Sequence, residues 1–130
     1  MAPMTDVSDV SAPADAFLLV LTNCPDAACA EAIATRLIET RLAACVNVLA
    51  PCRSVYRWQG AVERADEVPL LIKTTAAAYP ALEAALRTAH PYEVPEIVAV
   101  PIDRGLPDYL AWLAAEVAPA SGASGATFSC

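Results

Sequence analysis

The spacing of apolar residues along this chain changes repeatedly between the pattern of a buried strand and that of an amphipathic helix. A continuous apolar run at 17–22 predicts a strand buried on both faces, and helical spacing follows at 30–42. Extended character returns at 45–58, where we predict one long bent strand that Pro51 interrupts. The turn dipeptide Gln59-Gly60 then makes this strand the first arm of a projecting hairpin.

The second half of the chain repeats this alternation. The next strand is predicted at 61–74, where the polar return arm of the hairpin at 61–67 becomes buried at 68–74. It is followed by a helix at 77–89, a strand at 96–102 and a short helix at 106–117. The order β-α-β-β-α-β-α predicts an α+β fold, the ferredoxin-like split βαβ sandwich, with both main helices on one sheet face. Its other face needs the last helix or neighbouring subunits to cover it.

The length of 130 residues fits one compact domain, which we place at 17–118. Residues 1–16 are rich in Ala, Pro, Ser and Asp without periodicity, so we predict a disordered N-terminal segment. A Gly, Ser and Ala composition predicts a flexible tail at 119–130.

Charge and composition exclude several classes of function. A net charge of −7 without a basic cluster argues against nucleic acid, and no apolar run approaches the roughly 20 residues of a spanning helix, which argues against a membrane. The acidic start lacks the features of a secretory signal, so we expect a cytoplasmic protein. The five cysteines, an odd number without a CxxC spacing, are expected to be reduced thiols.

Five short motifs, in this order along the chain, resemble those of the CutA family of divalent-cation tolerance proteins. The motifs are Ala44-Cys-Val-Asn47, Val55-Tyr-Arg-Trp-Gln-Gly60, Lys73-Thr-Thr75, His90-Pro-Tyr-Glu-Val-Pro-Glu96 and Tyr109-Leu-Ala-Trp112. The resemblance implies a homotrimer whose architecture is akin to that of the PII-type signalling proteins. It also implies a response to metal ions, with copper binding in some members and no established reaction, so we expect a protein that is not an enzyme.

The resemblance also implies where a metal would bind. Copper-binding relatives use a cysteine near the end of the first strand and two adjacent histidines before the Pro-Tyr, and these positions are Thr22, Ala89 and His90 here. His90 is therefore the one candidate ligand for copper or another divalent cation, with Cys24 as a nearby substitute. The alternative for His90 is a structural role at the end of the second helix.

Several polar residues near turns and strand ends are candidates for an intersubunit ligand pocket or an interface. They are Glu67, Lys73, Tyr92 and Glu96, with Trp58 and Trp112 as apolar walls. A pocket would favour a second function, that of a PII-like small-molecule sensor or partner-binding scaffold without specific metal binding. The structural alternative is interface packing, with Lys73 paired to Glu67 or Glu96. Enzymatic catalysis has little support, because the chain has one histidine and no nucleophile motif.

Overall fold

The computed structural model describes residues 16–118. Its strands and helices follow one another in the order that the sequence predicts. The elements of this range are β1 (Phe17–Cys24), α1 (Ala27–Glu39), β2 (Cys45–Val48), β3 (Cys52–Trp58), β4 (Ala61–Thr75), α2 (Tyr79–Ala89), β5 (Val98–Pro101) and α3 (Pro107–Glu116). The predicted disorder at 1–16 and 119–130 concerns residues outside the described range, apart from residue 16.

The strand before Gln59-Gly60 differs from the prediction. The single bent strand expected at 45–58 is two strands, β2 and β3. Pairing with β4 is interrupted after the Leu49 N–H, which donates to the Pro69 carbonyl at 3.0 Å, because Pro51 lacks an N–H. The opposite strand is continuous, as predicted, since its polar arm at 61–67 and its buried part at 68–74 form β4 without a break. β4 pairs with β2 in the body of the sheet and with β3 in the hairpin.

The sheet has the strand order β2-β4-β1-β5, with β1 and β4 in the centre. Both neighbours of β1 run antiparallel to it, and the registers Val20↔Ile72 and Val20↔Ala99 fix the pairing. β5 is an edge strand, as the position of Pro101 predicts. The antiparallel sheet and three helices confirm the predicted α+β class.

Two helices cover one face of this sheet. Asp26 begins α1, where its Oδ1 accepts a hydrogen bond from the backbone N–H of Cys29 at 2.8 Å. Pro80 lies in the first turn of α2, where its missing N–H costs nothing. The core between helices and sheet includes the fully buried side chains of Val20, Ile33, Leu37, Leu70, Ile72, Leu82 and Leu86.

The opposite face of the sheet, which we call the open face, is covered only at one end. There Leu113 of α3 and Val117, which directly follows that helix, pack with Phe17. Alternation along the strands and the sheet registers place five apolar side chains on the rest of this face, namely Leu19, Leu21, Leu71, Val98 and Val100. The two valines are about half exposed, at 48% and 47%. A sizeable apolar surface therefore has no cover within the described residues.

A two-residue turn joins β3 to β4. Trp58 and Ala61 are the last pair of the ladder, and Gln59 and Gly60 both have positive φ, at 49° and 83°. Positive φ at both central residues is typical of a type I′ turn, which matches the twist of the two strands. Gly60 adopts this conformation without steric cost, whereas Gln59 does so less readily.

The cysteines correct one expectation. Cys24, Cys45 and Cys52 are free thiols, as predicted, but Cys29 is disulfide-bonded. An odd number of cysteines without a regular spacing thus did not exclude an individual disulfide.

Candidate functional site

Polar side chains from three separate parts of the chain meet where β1 and α2 end. Cys24 is the last residue of β1, Glu67 belongs to β4, and His90 and Tyr92 follow α2. We call these four residues the Glu67 cluster. Pro91 helps to build it, because a proline directly after the helix end forces the chain out of helical conformation. His90 accordingly has extended backbone angles, φ −74° and ψ 135°.

His90 is buried and both of its ring nitrogens have partners. The residue is only 7% exposed, and its Nε2 lies 2.5 Å from the carbonyl oxygen of Asn23. The backbone N–H of Tyr92 donates to Nδ1 at 3.2 Å, so Nδ1 carries no proton and Nε2–H donates to Asn23. A metal ion would have to displace one of these hydrogen bonds before His90 could bind it.

Glu67 and Tyr92 form the second contact of the cluster. Glu67 is 8% exposed and accepts a hydrogen bond from the Tyr92 hydroxyl. Burial, this hydrogen bond and the charge of Glu67 raise the pKa of Tyr92 from 10 to about 12. The rings of Tyr92 and His90 lie 4.6 Å apart. No cation forms an ion pair with Glu67 in the range 16–118, so the cluster holds a buried carboxylate without a counter-charge from the described chain.

Cys24 is fully buried within this cluster. Burial, followed by the charges of Asp26 and Glu67, raises the pKa of its thiol from 9 to about 11. The thiol is therefore protonated at neutral pH, and only the thiolate is an effective nucleophile or metal ligand. Cys24 does not substitute well for the cysteine that copper-binding relatives carry at the position of Thr22.

The remaining positions of the relatives' copper site are apolar or unreactive. Thr22 is 1% exposed and its hydroxyl has no hydrogen-bond partner among the described residues, and Ala89 is buried in the core cluster. Across residues 16–118, no group of three or more His, Cys, Asp and Glu side chains could hold a metal ion. These residues do not fit a resident copper ion, for which several nitrogen, oxygen or sulfur ligands are needed.

Two charged candidate residues near strand ends, Lys73 and Glu96, do not form an ion pair with each other. Lys73 Nζ donates to Asn47 Oδ1 at 3.0 Å and lies 3.9 Å from the sulfur of Cys45. The expected ion pair of Lys73 with Glu67 or Glu96 is thus replaced by contacts to the neighbouring strand. Glu96 instead accepts a hydrogen bond from Asn23 Nδ2 at 3.0 Å, which links it to the residue that His90 contacts.

The two tryptophans lie apart from the Glu67 cluster. Trp58 ends β3 at the hairpin turn and is 41% exposed, and Trp112 lies on α3, 44% exposed, with its ring 5.5 Å from that of Tyr109. The structure thus brings together Glu67, His90 and Tyr92, with Glu96 connected through Asn23. Sequence reasoning missed Asn23 as a site residue, although its position just before Cys24-Pro25 marks the end of a buried strand.

Comparisons with known proteins agree on one family. The profile described as "CutA1 divalent ion tolerance protein" matches residues 18–116. A divalent-cation tolerance protein CutA from Thermus thermophilus is 50% identical over 95 residues, 73% of this chain and 92% of the relative. In the range that the structure describes, no helix has the length and apolar character needed to cross a membrane.

Solved structures show the same likeness. The divalent cation tolerance protein from Thermus thermophilus superposes with a TM-score of 0.77 at 46% identity, covering 78% of this chain and 99% of that one. The periplasmic divalent cation tolerance protein CutA from Archaeoglobus fulgidus gives 0.73 at 36% identity, covering 75% and 94%.

Proposed function

Because this chain belongs to the CutA1 divalent ion tolerance family, we propose that it acts in divalent-cation tolerance as a homotrimer without enzymatic activity. We propose a cytoplasmic location. Cell fractionation tests this location against the periplasm, for which the Archaeoglobus fulgidus relative is named.

The open face of the sheet is the observation that supports self-association. Its leucines and valines, together with the exposed hairpin, form an apolar surface larger than single exposed residues explain. Burying such a surface is favourable by about 25 cal/mol per Å² of apolar area. Light scattering coupled to size exclusion tests the assembly, with an expected mass three times the 13.6 kDa of the chain. A monomeric mass at micromolar concentration would contradict the trimer.

For metal, we propose weak copper binding that depends on His90. Binding must compete with the hydrogen bonds from His90 to Asn23 and from Tyr92 to His90. The positions of the two other ligands in copper-binding relatives hold Thr22 and Ala89, which offer no strong donor. A response to divalent cations therefore does not require a tightly held ion.

Copper titration of untagged protein tests this proposal. His90→Ala should abolish the weak binding, and Thr22→Cys combined with Ala89→His should strengthen it. The binding should also weaken as the pH falls, because a protonated imidazole has no lone pair for a metal. Tight stoichiometric binding that survives His90→Ala would place the site elsewhere.

A second candidate function, that of a small-molecule sensor or partner-binding scaffold, is favoured by the buried carboxylate of Glu67. A buried charge without a counter-charge is costly, and a bound cationic group would offset that cost. Thermal unfolding in the presence of copper, zinc, nucleotides and organic amines separates the two candidates. Stabilisation by an amine that is lost in Glu67→Gln would favour the sensor.

A further inference from the structure

Glu67 has more hydrogen-bonding capacity than its contact with Tyr92 uses. An ionised carboxylate accepts about four hydrogen bonds, and the Tyr92 hydroxyl supplies one of them. Glu67 is nonetheless only 8% exposed and forms no ion pair within residues 16–118. A buried carboxylate is costly unless hydrogen-bond donors or a cation replace the water it has lost. Glu67 is therefore suited to a ligand that brings both N–H donors and a positive charge.

A second phenol, that of Tyr56, lies on the same side of the hairpin as Glu67. Cys52 pairs with Glu67 in the ladder, and Tyr56 shares the face of Cys52 because alternate residues of a strand point the same way. Burial raises the pKa of Tyr92 most, followed by Glu67 and then by Tyr56, so the two phenols are close enough to interact. The Glu67 carboxylate and the two phenol oxygens are therefore three neighbouring hydrogen-bond acceptors.

Small side chains separate Glu67 from Tyr56 along this face. Ser54 and Ala65 form the ladder pair between them, and both are only partly buried. Tyr56 itself is 44% exposed, and Tyr92 is partly buried. A small group can therefore approach the Glu67 carboxylate from solvent, over Ser54 and Ala65 and beside the two phenol rings.

We propose that the Glu67 cluster binds a primary ammonium group, with Tyr56 as an additional binding residue. Such a group carries three N–H donors and one positive charge, which match the three acceptors and the charge of the carboxylate. The phenol rings add attraction for a cation through their faces. A metal ion suits the site less well, since no group of three or more His, Cys, Asp and Glu side chains in the described range could hold one. The proposal rests on the sensor function proposed above and goes further, because it names the bound group and its acceptors.

A comparison of small ammonium ions tests the proposal without any variant. Ethylammonium, which is a cation at pH 7 as the lysine side chain is, should bind the full chain in calorimetric titration and raise its unfolding temperature. Tetramethylammonium has the same charge but no N–H, so its dissociation constant should be at least about tenfold higher. Sodium chloride at equal ionic strength controls for general effects of salt. Equal affinities for the two ammonium ions would overturn the proposal.

Two substitutions locate the site. Glu67→Gln removes the charge but keeps the size of the side chain, and it should raise the dissociation constant for ethylammonium at least about tenfold. Tyr56→Phe removes one acceptor from an exposed residue and should raise this constant about two- to tenfold, which keeps the site testable if Glu67→Gln folds poorly. The matched control is Glu83→Gln, because Glu83 also accepts a hydrogen bond from a tyrosine, at 2.9 Å from Tyr79 Oη, outside the cluster. This control should bind ethylammonium as the wild type does.

The outcomes separate the ammonium site from the sensor function on which it rests. Ethylammonium binding that is unchanged in both Glu67→Gln and Tyr56→Phe would overturn the site. If ethylammonium does not bind but a nucleotide stabilises the protein, the sensor function stands and the ammonium site is wrong. If neither an ammonium ion nor a nucleotide binds, both proposals fail.

Discussion

Two buried threonines on the helix-covered face of the sheet predict opposite effects of the same substitution. Thr22 in β1 is 1% exposed with no partner for its hydroxyl in the described part of the chain, and Thr74 in β4 is fully buried with its hydroxyl donating to the Leu42 carbonyl at 2.7 Å. Valine keeps the branched shape at Cβ that suits a strand. The comparison therefore isolates the hydrogen bonding of each hydroxyl.

Thr22→Val should stabilise the protein. An unsatisfied buried polar group costs about 1–3 kcal/mol, and the added methyl group gains about 0.8 kcal/mol of apolar burial. The gain should be smaller than the sum of these two figures, because neighbouring side chains already relax around the hydroxyl. We therefore expect the free energy of unfolding to rise by about 1–2 kcal/mol.

Thr74→Val should destabilise the protein by about 1–2 kcal/mol. The substitution removes a hydrogen bond and leaves the Leu42 carbonyl without this donor, which outweighs the gain from the methyl group. The two variants therefore differ in sign although they change the same atoms.

Urea unfolding measures both variants against the wild type. The protein concentration must be the same throughout, because association contributes to the apparent stability of an oligomer. An unchanged slope against urea would show that the midpoint reports stability alone. If Thr22→Val lowers the free energy of unfolding as much as Thr74→Val does, the Thr22 hydroxyl has a partner and the reasoning fails.

Three other substitutions test the hairpin, the Glu67 cluster and the first helix. Trp58→Ala should weaken assembly more than folding, seen as a lower mass at dilution with little loss of far-ultraviolet circular dichroism, because Trp58 is exposed in the single chain. The free energy of unfolding of the wild type should fall as the pH rises from 10 to about 12. In this range Tyr92 loses its proton more readily in the unfolded chain than in the folded one, where its pKa is raised to about 12. Glu67→Gln should shift the absorbance titration of Tyr92 to lower pH, and an unchanged titration would contradict the hydrogen bond. Asp26→Ala should cost about 1 kcal/mol in urea unfolding through loss of the bond from Cys29 N–H.

Sequence periodicity predicted the order of the elements because most of them bury one continuous set of side chains. It failed at 45–58, where one strand was predicted and two are present, β2 and β3. The strand β4 is continuous, as predicted, because backbone pairing with β3 and β2 requires no buried side chain.

Residue chemistry identified part of the candidate site. His90 was named through the family resemblance, whereas Glu67 and Tyr92 were named as polar residues near turns and strand ends. The partner of Lys73 was not predictable, because it depends on the register Cys45↔Lys73 between strands that are distant in sequence. Nor does any local pattern show that both nitrogens of His90 have backbone partners.

The central position of β1 has a consequence for the synthesis of the protein. Residues 17–24 leave the ribosome well before 68–75 in β4 and 98–101 in β5, with which they pair. The apolar first strand therefore stays without its neighbours until most of the chain has been translated. Such distant pairing slows folding and prolongs the exposure of aggregation-prone segments. We expect nascent chains that stop before residue 98 to depend on chaperones, whereas chains released after β5 complete the sheet by themselves.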